Sequence, residues 1–472
     1  MARRSRLRPI VALLGMSLAL APTGRSIPAR AAATRPNIVF ILSDDQTLDS
    51  IPHTPAVMPR LQAMLNDPAD HWVQFSHAYF NVSLCCPSRA TILSGQYDTH
   101  TGVSVNGNGP LFNENATIAT WLHTAGYHTG YVGKYLNNWP YTRPLYTPPG
   151  WDTFNAFITD EDRYYNYQMY NPALPGSIEY HGTAPADYST TVVGNKAVGF
   201  IDAAPSGQPF FLTFAPRAPH PPSIAAPGDS GTYKNLSMPL PPSFNEADVS
   251  DKPDYIRALP LLADRGIKKE RANRRKSYES LIEVDRQVAN VVQALKDKGV
   301  YDNTVIVYMT DNGYSFGEHR YVSKGCEYIE CQQTALLVRY PGATPHVEPA
   351  LASNVDIAPT FAAIGGATPT IAEDGFSLKP FLDGTPPSSW RKGVLIHFIG
   401  DRRVTRYWGV YTLDYLYVEL ASGTIDVELY DLTGQHGSAD PDELENRAND
   451  GAYAGVRTQL ASLLATLKAT AT

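Results

Sequence analysis

Two acidic motifs stand directly after apolar runs: "NIVFILSDD" ends on Asp44-Asp45 and "NTVIVYMTDNG" runs into Asp311-Asn312. These four side chains offer only oxygen ligands, which suits a hard divalent cation, Ca²⁺ first and Mg²⁺ second, whereas zinc normally recruits His or Cys. One acidic pair at a strand end is equally well explained by a turn or a helix cap. Two pairs make a more specific signal. In the same way "YHTGYVGK" delivers Lys134 and "PFFLTFAPRAPH" delivers His220. A different chemistry stands in "NVSLCCPSRATILSG", where Cys85 and Cys86 precede Pro-Ser-Arg and the first turns of a helix. Pro87 costs nothing in a first turn, and the N–H groups at a helix N-terminus attract anions. A nucleophile at position 85, with Arg89 one turn on, is therefore placed to attack a tetrahedral anion such as sulfate or phosphate. A thiolate would serve poorly. An S-sulfonated cysteine has no internal way to shed sulfate, so an oxygen nucleophile is needed.

The elements that must hold these residues follow from the pattern around them. Continuous β-branched and aromatic runs are typical of strands buried on both faces of a largely parallel sheet, and ligands bind beyond the carboxyl ends of such strands. Four such strands aim Asp, Asn, His and Lys at one edge. Between them lie helical patterns, as in "YESLIEVDRQVANVVQALKDKG", where Leu281, Val284, Val288, Val291 and Leu295 keep helical period until Gly299. Alternation of this kind predicts an α/β fold. Just upstream, "KKERANRRK" gathers six cations and reads as a solvated helix start rather than a grip for a sulfated glycan. After "DGFSLKPFLDGTPPSSW" the texture changes: "YWGVYTLDYLYVEL" and "TIDVELYDL" read as antiparallel strands, followed by a helix near residues 453–468. A boundary near residue 385 divides a domain over 32–385 from a small α+β subdomain over 386–472.

The first 31 residues have a basic start, an apolar run from Pro9 to Ala21 and small residues at Ala29 and Ala31, the pattern of a cleaved export signal. The run is too short for a spanning helix, which needs about 20 residues, and no later segment is long and apolar enough. The expected mature protein is secreted or periplasmic, without stable membrane insertion. Six arginines leave with the signal and take the formal charge from −7 to about −13. That excludes nucleic acid as a natural partner and requires any anionic substrate to be drawn in by a local pocket. The four cysteines allow two disulfides in three pairings. A bridge between neighbours Cys85 and Cys86 would be strained, while the spacing of Cys326 and Cys331 allows one short-loop disulfide.

"CCPSRATILSG" resembles the signature of the formylglycine-dependent sulfatases, Cys-x-Pro-Ser-Arg, whose first cysteine a maturation enzyme oxidises to formylglycine. The resemblance continues through "RPNIVFILSDDQ", "GYHTGYVGKYLN", "APRAPH", "EVDRQV", "TDNGYSFGEHRYVSK" and "ELYDL". It implies an alkaline-phosphatase-like α/β fold with a small C-terminal antiparallel sheet and terminal helix. It also implies one Ca²⁺ held by Asp44, Asp45, Asp311, Asn312 and the formylglycine at 85. Arg89, Lys134 and Lys324 would surround the sulfate, and His220 would protonate the departing alcohol. Two departures from the family pattern stand out. "GKYLNN" puts Leu136 where arylsulfatases commonly carry a histidine, which leaves the base for sulfate release unassigned, with His319 of "GEHR" as a candidate. "LSGQ" puts Ser94 and Gln96 where Thr and Arg are usual.

"CCPSR", "GKYLN" and "APRAPHPP" together are most similar to the N-acetylglucosamine-6-sulfatase and heparan endosulfatase branch, so the implied substrate is a glycan 6-O-sulfate. The competing readings are an arylsulfatase of broad specificity, a phosphate or phosphonate monoester hydrolase, and a glycan-binding pseudoenzyme. Hydrolases of phosphate esters on such a sheet usually carry a second, histidine-rich metal site, and no such set accompanies the Asp pairs.

Overall fold

The run NIVFILS forms the strand β1 (Asn37–Ser43), buried at every residue. Its side chains alternate between two faces: Ile38, Phe40 and Leu42 enter one core, Val39 and Ile41 the other. Such a strand needs cover on both sides and finds it near the middle of an eight-stranded sheet. The computed structural model describes residues 1–2, 35–142, 144–158 and 164–472. The expected export signal over 1–31 lies, beyond Ala2, outside the described residues.

The further strands are β2 (Trp72–Tyr79), β3 (His128–Gly133), β4 (Thr153–Ala156), β5 (Tyr167–Tyr170), β6 (Ile178–His181), β7 (Phe210–Ala215), β8 (Thr304–Thr310), β9 (Ser315–Phe316), β10 (Val322–Ser323), β11 (Gln333–Arg339) and β12 (His346–Ser353). Then come β13 (Val394–Phe398), β14 (Tyr407–Tyr411), β15 (Tyr415–Leu420) and β16 (Val427–Asp431). The large sheet has the order β12-β2-β11-β8-β1-β7-β3-β4. β1 pairs parallel with β7 and β8, β3 with β7 and β4, and β12 with β2. Within it only β11 runs against its neighbours, β2 and β8. The sheet is thus mostly parallel, as expected, and formally mixed.

The helices Cys85–Ser94, Ile118–Thr124 and Ile357–Gly365 cover one face through Ile92, Leu122 and Phe361. Ser189–Ala203 and the long helix Asp264–Asp297 cover the other through Val193, Val284, Val288 and Leu295. The basic run lies inside that long helix rather than at its start. Lys268, Lys269 and Lys276 are solvated, but Arg274 is buried in an ion pair with Glu318. The second sheet, β13-β14-β15-β16, is antiparallel throughout, and the helix Ala454–Thr470 covers it through Leu460 and Leu464. Tyr79 of β2 stacks on Tyr411 of β14 with centroids 4.4 Å apart, which ties this sheet to the large one. Cys326 and Cys331 form a disulfide.

Candidate active site

β1 and β8 run side by side with Ser43 opposite Thr310, so the two acidic motifs leave the sheet together. Asp44 bridges Pro219 beyond β7, which brings His220 alongside, and Lys134 directly follows β3. Asp45 has φ of 58°, in the left-handed region that side chains rarely adopt. Neighbouring side chains of an extended strand point to opposite faces. This turn lets both carboxylates reach one point instead: Asp44 Oδ1 lies 3.6 Å and Asp45 Oδ1 3.9 Å from Cys85 Sγ.

Opposite them, the helix Cys85–Ser94 begins at Cys85, two residues before Pro87. Consecutive helical residues diverge, so Cys85 faces the carboxylates while Cys86 packs into the core beneath the sheet. The Cys86 N–H donates to Asn106 Oδ1 at 3.0 Å, satisfying one donor of the helix start. Three cations close the pocket. Lys324 Nζ donates to Asp45 and lies 2.8 Å from Cys85 Sγ. Lys134 Nζ sits 2.5 Å from Asp44 Oδ2. Arg89 Nε donates to Asp311 Oδ2 at 2.7 Å, and its Nη1 donates to the Lys134 carbonyl at 2.6 Å. Asn312 Nδ2 donates to Asp45 Oδ1 at 2.6 Å. His220 Nε2 lies 3.4 Å from Asp45 Oδ2, with its Nδ1 2.7 Å from the Pro221 carbonyl.

The nine residues Asp44, Asp45, Cys85, Arg89, Lys134, His220, Asp311, Asn312 and Lys324 therefore meet in one constellation, all buried except the half-buried His220 and Lys324. Burial by itself would raise the Asp44 carboxyl, but Lys134, followed by His220, Arg89 and Lys324, holds it well below the usual range. Burial and the neighbouring Asp44 push Asp311 the other way. Burial also raises the Cys85 thiol, against Lys134 and Lys324. A group of carboxylates that drives one of its members upward is short of positive charge. Asp45 Oδ2 and Asn312 Oδ1 are buried and accept no hydrogen bond. Orphaned oxygens among carboxylates fit a hard divalent cation, and Asp44, Asp45, Cys85 and His220 present ligand atoms within 4.8 Å of one another.

The structure does not bring His319 into this constellation. Its Nδ1 is 2.7 Å from Glu246 Oε2, its ring stacks on Tyr328, and burial pushes it down to about 3. Leu136 lies in the core and places no proton acceptor at its position. Ser94 Oγ donates to the Ala90 carbonyl at 2.8 Å, and Gln96 Nε2 to that of Ala372 at 3.0 Å. Sequence reasoning missed Asn106 and two tyrosines: the Tyr131 hydroxyl bonds the Lys134 carbonyl, and that of Tyr164 bonds the His220 carbonyl at 2.7 Å. Tyr131 lies in the same motif as Lys134, three residues before it, but nothing in the sequence tells its hydroxyl from that of a core tyrosine, and Tyr164 reaches a carbonyl 56 residues away along the chain. Asn106 left only the weak trace of an Asn in a Gly-rich turn.

Residues 36–367 match the family model described as sulfatase. The chain belongs to the sulfatase family. Residues 317–470 of this sulfatase also match the model of the N-sulphoglucosamine sulphohydrolase C-terminal region. It is 31% identical to an arylsulfatase of Volvox carteri, over 94% of this chain and 76% of that one. It is 30% identical to an N-acetylglucosamine-6-sulfatase of Homo sapiens, over 89% of this chain and 82% of the other. Among solved structures, a protein in complex with its substrate D-glucosamine-2-N,6-O-disulfate superposes with a TM-score of 0.77. The match has 24% identity and covers 92% of this chain and 98% of that one. A phosphonate monoester hydrolase of Agrobacterium radiobacter superposes with a TM-score of 0.74 at 21% identity, covering 93% and 96%. At these identities the structures establish the alkaline-phosphatase-like fold, while the family match makes this sulfatase a sulfuric ester hydrolase. Among the described residues no helix is long and apolar enough to cross a membrane.

Proposed function

We propose that this sulfatase is exported, that Cys85 is converted to formylglycine, and that it removes 6-O-sulfate from a glycan of the N-acetylglucosamine-6-sulfate type. The observation that carries the reading is the seat of residue 85, at a helix start between Asp44, Asp45 and Lys324. Support for the sugar comes from the named N-acetylglucosamine-6-sulfatase relatives and from "GKYLN".

Asp44, Asp45, Asp311, Asn312 and residue 85 would hold Ca²⁺, with Mg²⁺ as second choice, and a bound cation there supplies polarisation of the sulfate oxygens. The oxidised residue 85 supplies an oxygen nucleophile that can afterwards release sulfate. Lys134 and Lys324 flank that residue and attract the anion locally against the negative charge of the whole chain. Arg89 locks Asp311 in place through its 2.7 Å ion pair and ties the helix to the end of β3. The Nδ1–H of His220 is held by the Pro221 carbonyl, so its Nε2 faces the pocket and delivers a proton to the departing alcohol. Its side chain is 16% exposed, against 1% for Asp45 beside it, which places the leaving alcohol toward solvent. Cys85 is 1% exposed in the folded chain, so a maturation enzyme has to act before the helix docks.

A mass spectrum of the intact peptide spanning Cys85 tests the modification, and turnover of N-acetylglucosamine 6-sulfate against aryl sulfate and phosphate or phosphonate esters tests the substrate. Thiol alone at position 85 in active enzyme overturns the mechanism. Preference for phosphate or phosphonate esters overturns the reaction, and aryl sulfate as the only substrate overturns the sugar. A thiol with no turnover of any ester would make the protein a binding pseudoenzyme.

A further inference from the structure

The loop that carries Lys324 holds a second set of converging ligand atoms. His319 is 1% exposed. Its Nδ1 lies 2.7 Å from Glu246 Oε2, and its Nε2 has no hydrogen-bond partner. Opposite that nitrogen, Glu330 Oε2 is also buried without a partner, 3.9 Å away. Glu443 completes a trio whose ligand atoms lie within 4.8 Å of one another. The other oxygen of Glu330 and both oxygens of Glu443 already accept hydrogen bonds. Glu330 Oε1 accepts from Ser243 Oγ at 2.9 Å, and Glu443 accepts from the Tyr411 hydroxyl at 2.7 Å and the Ile329 N–H at 2.8 Å.

Among the described residues no lysine or arginine is ion-paired with these two glutamates, and Arg274 acts on Glu330 only at longer range. Buried Lys252 is engaged with the Leu444 carbonyl, Asp251 and Glu246, and Arg274 with Glu318. A separation of 3.9 Å is too long for a hydrogen bond. It suits two ligands of one ion, since metal distances near 2.1 Å allow ligands up to roughly 4.2 Å apart. The Glu246–His319 contact is the arrangement that orients a metal-bound imidazole, with Nδ1–H given to a carboxylate and the Nε2 lone pair presented to the ion. A neutral imidazole and two carboxylates balance a divalent charge. One nitrogen and two oxygens favour a first-row ion over calcium, which takes six to eight oxygens. Glu330 also borders a cavity of about 400 Å³ with Arg274, Tyr314 and Gln333, which offers a way in.

We propose that His319 Nε2, Glu330 and Glu443 form a second metal site that takes a first-row divalent cation, with Zn²⁺ as the probe. The ion would pin the segment from Gly313 to Gln333, and with it Lys324, against the small sheet. The full-length protein, kept in Ca²⁺, is stripped of transition metals and titrated with Zn²⁺ alone, with uptake read by elemental analysis. One Zn²⁺ per chain is expected. Glu246→Gln should weaken it about 10- to 100-fold by releasing the imidazole, and Glu330→Gln by at least as much, while Asp311→Asn should leave it unchanged. Co²⁺ in its place should give a visible absorption band that His319→Ala abolishes. Should His319→Ala fail to fold, the two isosteric glutamine variants, checked by circular dichroism, carry the test. No zinc uptake, uptake unaltered in Glu330→Gln, or uptake lost in an Asp311→Asn variant that circular dichroism shows to be folded would each overturn the proposal.

Discussion

Replacing His220 by alanine separates its role in proton transfer from any role in holding the site. The ring faces the pocket through Nε2, and its Nδ1–H donates to the Pro221 carbonyl. Losing that bond costs about 1 kcal/mol, which in a chain of this size moves Tm by less than about 2 °C. The Tyr164 hydroxyl bonds the backbone carbonyl of His220 and survives the change. The catalytic loss should be far larger and selective. General acid assistance is worth about 10²- to 10⁴-fold, or roughly 2.7 to 5.4 kcal/mol at 1.36 per decade. A sugar alcohol needs that proton to leave, whereas an acidic phenol departs without it. His220→Ala should therefore lose about 10²-fold or more in kcat/KM on a sugar 6-sulfate and less than about 10-fold on a nitrophenyl sulfate. Parallel assays on both esters, with KM and kcat resolved, read the difference. Equal losses on the two esters, or an initial burst of alcohol, would move His220 to the sulfate-release step and refute the assignment.

Cys85→Ala should abolish turnover with Tm nearly unchanged. Cys86→Ala should keep turnover and lose about 1 kcal/mol of stability, read by thermal melts, because Cys86 belongs to the core and Cys85 does not. The opposite outcome would place the nucleophile one residue too early. Asp311→Asn removes both a cation ligand and the partner of fully buried Arg89. Calcium content and activity should fall together, with about 3–5 kcal/mol of stability lost for the broken pair; full calcium occupancy in an active variant would count against the ligand set. Burial pushes Glu373 up to about 7 from 4.5, and its Oε1 has no hydrogen-bond partner. With the folded value raised, its stabilisation is complete below about pH 4.5 and is lost as pH rises through 7. Glu373→Gln should thus match the parent's Tm at pH 4.5 and exceed it at pH 8, and melts that coincide at both values would dismiss the effect.

The residues of the site were legible in the sequence because their signals are local. Asp44-Asp45 and Asp311-Asn312 end continuous apolar strands, a hydrophobic run of that kind fixes burial on both faces, and Cys85-x-Pro-Ser-Arg marks a helix start. The parallel sheet followed from the same runs, and the hairpin and last helix from their own periodicity. Tertiary structure decided what depends on packing between distant segments. The strands β2, β11 and β12 pair only with partners far away in the chain, and no turn signal sets the reversed direction of β11. The basic run at 268–276 carries no mark to say that Arg274 turns inward to Glu318 while Lys276 stays in water. His319 illustrates the same limit. Its motif placed it five residues from Lys324, but burial against Glu246 and Tyr328 took it out of the first constellation and into a second. Sequence spacing set which chemistry was available, and the three-dimensional neighbours of each buried charge set which atoms face one another. A buried polar group is stable only with the partners that the fold brings to it.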